Sequence, residues 1–137
     1  MFENPTPEQC CALLKNVKNI AVVGLSPNPA RPSYGVAKAM QGYGFNIIPV
    51  HPAVKEVLGA QAYPRLADIP GPIDLVNVFR QAEFIDGMVD ECLALKMKSL
   101  WIQECIVNVP AALRARQAGM FVVMNRCIYR DYRAFCI

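Results

Sequence analysis

The chain has 137 residues, of which 54% are hydrophobic and 18% charged, and its formal net charge is +3. The length suits a single domain spanning residues 1–137, and the high hydrophobicity excludes a disordered chain. Lys and Arg are scattered, clustering only at Arg126, Arg130 and Arg133, so no nucleic-acid surface is expected. The first predicted element is a helix opened by Thr6-Pro7-Glu8-Gln9, where Thr6 can cap and Gln9 can complete a capping box. Cys10, Leu13, Leu14 and Val17 then follow the spacing of one buried helical face. Ile20 to Val23 is a short apolar run that reads as a strand buried on both sides. After the loop Ser26 to Arg31, a helix starts near Pro32-Ser33 and stops at Gly44, with Val36, Ala37 and Met40 inward.

Phe45 to Val50 is the second predicted strand. Ala53 to Pro72 reads as looser chain with one short helical turn near Leu66 to Ile69. Ile73 to Phe79 is the third strand. Ala82 to Lys96 is the clearest helix, with Phe84, Ile85, Met88, Val89, Cys92 and Leu93 as its apolar stripe. Ser99 to Gln103 is the fourth strand, Pro110 opens a helix ending at Gly119, and Met120 to Met124 is the fifth strand. The tail from Cys127 is a short closing helix or an irregular edge. Strands alternating with helices predict an α/β fold: a Rossmann-like, doubly wound, parallel five-stranded sheet flanked by helices on both faces.

No apolar run reaches the roughly 18 residues of a membrane helix. Met1 to Gln9 lacks the basic-then-apolar order of a signal peptide, so a cytoplasmic location without membrane contact is expected. There the six cysteines are expected to stay reduced. No C-x-x-C pair occurs and His51 is the only histidine, so no metal site is expected. The poverty of charge leaves room for a homodimer.

Ligands of open parallel sheets bind beyond the carboxyl ends of the strands. Gly24 permits close backbone approach there, and its loop feeds a helix N-terminus suited to phosphate. Ser26, Ser33 and the backbone around Tyr34 offer hydrogen bonds, and Arg31 offers a charged fork. Taken alone, Ser33 reads as a helix cap. The dinucleotide fingerprint G-x-G-x-x-G is absent, and no acid lies between Gly44 and Lys55 to hold an adenosine ribose. His51 and Lys55 make the second strand end basic, with His51 read as a locally bonded strand terminus. Glu104 and Cys105 offer a base and a nucleophile, but nothing adjacent in sequence supports them in those roles.

These residues carry a family likeness. Val22-Val23-Gly24-Leu25-Ser26, Pro29-Ala30-Arg31-Pro32-Ser33, Ile48-Pro49-Val50-His51-Pro52, Asp74 to Arg80, Trp101-Ile102-Gln103-Glu104 and Val122 to Cys127 resemble the small stand-alone CoA-binding proteins. That family is similar to the N-terminal CoA-binding domain of the succinyl-CoA synthetase alpha subunit. The resemblance implies a Rossmann-like fold, and coenzyme A or an acyl-CoA as the ligand. It implies that Gly24 to Ser33 holds the pyrophosphate, that His51 and Lys55 lie near the 3′-phosphate or ribose, that Phe79 and Arg80 flank the adenine or pantetheine path, and that Gln103 lies near the pocket floor. The chain departs from the family pattern at His51, where Asn is usual, at Cys105, where Gly is common, and at Asn125, where Asp is common. The departures raise a mixed disulfide of CoA with Cys105 or Cys127 under oxidation.

The expected function is therefore non-catalytic binding of a small-molecule CoA ligand. An NAD(P)-dependent oxidoreductase component and a protein-interaction module with a vestigial nucleotide site are the alternatives.

Overall fold

In the computed structural model, which describes residues 1–137, local sequence signals set most boundaries. Helix α1 (Pro7–Lys15) starts with the expected capping box: the Gln9 N–H donates to Thr6 Oγ1 at 3.2 Å, and the Thr6 N–H donates to Gln9 Oε1 at 2.9 Å. There follow β1 (Asn19–Val23), α2 (Pro32–Gly42) and β2 (Asn46–Val50). A small hairpin, β3 (Glu56–Val57) with β4 (Ala60–Gln61), and a 3-10 turn at Leu66–Asp68 precede β5 (Leu75–Val78). Another 3-10 turn, Ala82–Phe84, leads into α3 (Ile85–Ala94). Then come β6 (Ser99–Gln103), α4 (Val109–Gln117), β7 (Phe121–Arg126) and α5 (Ile128–Phe135).

The main sheet is five-stranded and parallel in the order β2-β1-β5-β6-β7, as the alternating strand and helix signals predict. Its strands alternate side chains between two cores. Ala21, Val23, Val76, Val78, Leu100 and Ile102 face α3 and α4. Ile20, Val22, Leu75, Trp101 and Val123 face α1, α2 and α5. Each fully buried Val, Leu or Ile side chain among them contributes about 1.5–3 kcal/mol. Trp101 is 0% exposed, and its indole N–H donates to the Arg126 carbonyl at 2.9 Å, so this large ring is buried without an orphaned donor.

Pro49 cannot donate to a ladder, which confines β2 to the sheet edge. Tyr63 covers that edge: the His51 N–H donates to the Tyr63 carbonyl at 2.9 Å, and the Tyr63 N–H donates to the Pro49 carbonyl at 3.0 Å. These bonds fix where β2 ends and hence where His51 stands.

Three expectations are corrected. The looser stretch after His51 contains the β3–β4 hairpin as well as the expected helical turn. Phe84 does not join the apolar stripe of α3; it belongs to the preceding 3-10 turn and is 44% exposed, beneath the Arg80 guanidinium. The six cysteines are not all thiols, because Cys11 and Cys136 form a disulfide. The physical reason is packing: α1 lies against α5, bringing two Cα atoms 125 positions apart in sequence to 5.4 Å, a separation that a disulfide spans. No helix is long and apolar enough to cross a membrane.

Candidate functional site

The chain runs from β1 to its neighbour β2, then crosses back over β1 to β5 on the other side. The strand order thus reverses at the β1–β5 junction, where loops leave in opposite directions and open a crevice. A cleft of about 700 Å³ lies there, at the carboxyl ends of β1, β2, β5 and β6 and the start of α2.

Gly24 forms its base. A Cβ on residue 24 would stand 2.6 Å from the Phe79 carbonyl oxygen, and the backbone φ is +82°, so both space and conformation demand glycine. The next residues are held by a chain of short-range bonds. The Ser26 N–H donates to Ser33 Oγ at 3.0 Å, the Asn28 N–H to Ser26 Oγ at 3.0 Å, and the Ala30 N–H to Asn28 Oδ1 at 2.9 Å. Ser33 is therefore not the cap of α2. Arg31 occupies the cap position without a side-chain bond, and Ser33 instead ties the helix to the loop. The Tyr34 and Gly35 N–H groups both donate to the Arg31 carbonyl, so they are spent inside the helix. The Ser33 N–H has no protein acceptor and lies on the cleft.

Eight of the ten residues singled out from the sequence line this cleft: Gly24, Ser26, Arg31, Ser33, His51, Phe79, Arg80 and Gln103. Tyr34 and Lys55 do not. Tyr34 packs against the core beneath α2, and Lys55 is exposed beyond the cleft. His51 is anchored as a strand terminus, its Nδ1 accepting the Ala53 N–H at 3.0 Å. That bond leaves Nε2 as the protonated nitrogen.

Arg65, Arg114, Arg126 and Arg130 each pair with a carboxylate. The other four of the eight arginines, Arg31, Arg80, Arg116 and Arg133, pair with no carboxylate, and of these only Arg31 and Arg80 line the cleft. Arg80 lies over the Phe84 ring at 4.4 Å. The cleft's one carboxylate, Glu104, is taken by Arg130. The result is a concave site with two free guanidiniums and an open helix N-terminus, which suits an anion.

Sequence reasoning missed the support beneath Gln103. This side chain is 3% exposed, and its Oε1 accepts the Asn77 Nδ2–H at 3.3 Å and the Ile128 N–H at 3.5 Å. Asn77 also donates to the Trp101 carbonyl at 3.1 Å. The available signal was a polar residue inside the apolar run Leu75 to Val78.

A model of the CoA binding domain family matches residues 18–133. The chain belongs to that family. YneT of Bacillus subtilis (strain 168), an uncharacterised protein, is 43% identical over 127 residues, covering 93% of this chain and 94% of its own length. The alpha subunit of an ADP-forming acetate–CoA ligase II from Pyrococcus furiosus is 35% identical over 78 residues, 56% of this chain but only 17% of the subunit. Among solved structures, a hypothetical protein from Pyrococcus horikoshii OT3 superposes with a TM-score of 0.90 at 33% identity, over 98% of this chain and 99% of the other.

Two departures from the family pattern have a structural reading. Cys105 has φ +69°, a left-handed conformation that explains why glycine suits this position. Its N–H donates to Asn125 Oδ1 at 2.7 Å. An aspartate at 125 would present the same acceptor, so Asn125 keeps the bond and loses only the charge.

Proposed function

We propose that the cleft binds coenzyme A or an acyl-CoA without transforming it, with the whole chain acting as one binding domain. The observation that carries this reading is the pair of unpaired guanidiniums, Arg31 and Arg80, beside the open N-terminus of α2. In a member of the CoA binding domain family, these groups suit the ligand's phosphates. Ser33, tied to Ser26, holds the loop so that its free N–H points at the pyrophosphate. His51 offers Nε2–H to the ribose or 3′-phosphate, and Phe79 and Arg80 flank the arm that leads toward Gln103. A binding role is supported by the state of the cleft's imidazole and its carboxylate. His51 Nδ1 is occupied by the Ala53 N–H, and Glu104 is paired with Arg130.

A thermal-shift titration with CoA, acetyl-CoA, NAD, NADPH and ATP tests the proposal, because a ligand that binds only the folded state raises the melting temperature. A rise with the CoA species alone is expected. A rise with NADPH alone would favour the oxidoreductase alternative, and no rise at all would favour the interaction module.

A further inference from the structure

Four cysteines are free, and of these Cys10, Cys92 and Cys127 are buried whereas Cys105 is exposed. Cys105 stands just past β6 on the wall of the cleft, two residues beyond Gln103. Gln103 supplies an independent sign of a ligand at this end. The donors Asn77 Nδ2 and the Ile128 N–H fix which end of its amide is the oxygen. The Nε2 at the other end has no protein partner, although the residue is 3% exposed and lines the cleft. No buried side-chain nitrogen in the molecule lacks a partner, so this Nε2 opens onto the cleft, held in place by the bonds to Oε1 and free to donate to a ligand's carbonyl.

The span is right for a ligand that begins at Arg31 and ends at Cys105. The strands β1, β5 and β6 are successive neighbours, so their carboxyl ends lie about 10 Å from first to third. The pantetheine arm of CoA is longer than this when extended, carries two amide carbonyls able to accept from Gln103, and ends in a thiol.

We propose that Cys105 captures the thiol end of CoA as a mixed disulfide, taking it from a disulfide of CoA; this rests on the CoA reading of the cleft. The Cys105 thiolate attacks one sulfur of the incoming disulfide. A bond forms between Cys105 Sγ and the CoA sulfur, the original S–S bond breaks, and the other half leaves as a thiolate that takes up the proton given up by Cys105. The disulfide is itself the oxidant, so no further co-reactant is needed. Cys127, buried and off the cleft, takes no part.

The full-length protein is incubated with CoA disulfide, and in parallel with glutathione disulfide, then mapped as peptides under non-reducing conditions. Reduced CoA is tested separately by thermal shift. The expected result is one CoA moiety on Cys105, released by a thiol reductant, lost in Cys105→Ser, and formed at least about tenfold faster than the glutathione adduct because bound ligand has a high effective concentration. The map uses the wild-type chain, so it reads out whether or not the variant folds. If reduced CoA raises the melting temperature but no adduct forms on Cys105, or glutathione reacts as fast, the capture site is refuted and the CoA reading stands. If reduced CoA produces no shift, the CoA reading falls and this inference falls with it.

Discussion

The cleft and the seam between α1 and α5 are built from similar residues and treat them in opposite ways. At the seam, Arg126 donates to Asp131 at 2.9 and 2.7 Å, the Arg126 carbonyl accepts from Trp101, and Cys11 is bonded to Cys136. In the cleft, Arg31 and Arg80 have no carboxylate, and the Ser33 N–H and Gln103 Nε2 have no protein partner. Folding favours satisfied polar groups. A region that gathers several open donors in one concavity, beside a seam that pairs its own, is arranged for something other than its own stability.

The largest test of this contrast is at the seam. The disulfide closes nearly the whole chain into one loop, so Cys11→Ser with Cys136→Ser should cost about 4 kcal/mol of stability. A denaturant titration against the oxidised wild type measures this, and CoA affinity extrapolated to the folded state should be unchanged. Gly24→Ala is next. Its Cβ meets the Phe79 carbonyl in a left-handed backbone, at a cost of about 1–3 kcal/mol, and unlike the seam variant it should also abolish the CoA-induced thermal shift.

Arg31→Ala should weaken CoA binding by about 1–3 kcal/mol with little change in melting temperature, since no internal partner is lost. Arg114→Ala is the counterpart. Arg114 forks between Asp86 and Asp90 at 2.7 and 2.6 Å, so its loss should lower the melting temperature slightly and leave CoA affinity alone. Equal effects of the two variants on affinity would erase the distinction between paired and waiting charges. Rising salt should also reduce CoA affinity, because exposed charges are screened.

The smallest expected effect concerns pH. Burial pushes the Cys92 thiol from its ordinary value near 9 up to about 12, with the nearby Glu91 adding to the shift. The folded state therefore favours the neutral thiol. Its contribution is fully present below pH 9 and is lost as pH rises from about 9 toward 12. Unfolding midpoints across that range should decline less steeply in Cys92→Ala than in the wild type.

The five sheet strands were legible because parallel strands buried on both faces read as plain apolar runs. The reversal of strand order then placed the cleft, and most of the candidate residues, without further information. The β3–β4 hairpin was hidden because each strand has two residues, too few for any period, and because Leu58, at φ +55°, precedes Gly59 where an asparagine or aspartate would have completed the turn signal. Phe84 matched the helical spacing of its neighbours, but a 3-10 turn rotates it out of their stripe. Tyr34 and Lys55 are close in sequence to true lining residues and face elsewhere, a matter of side-chain direction that spacing does not specify. The disulfide depends on where the two chain ends meet, which no local pattern encodes.

The most direct test of the central claim is a calorimetric titration of the full chain with CoA and, separately, with pantetheine, which has the arm and thiol but no phosphate. The free guanidiniums of Arg31 and Arg80 predict saturable one-to-one binding of CoA and no measurable heat with pantetheine. Absence of binding by CoA, or equal binding of the two, would contradict the account.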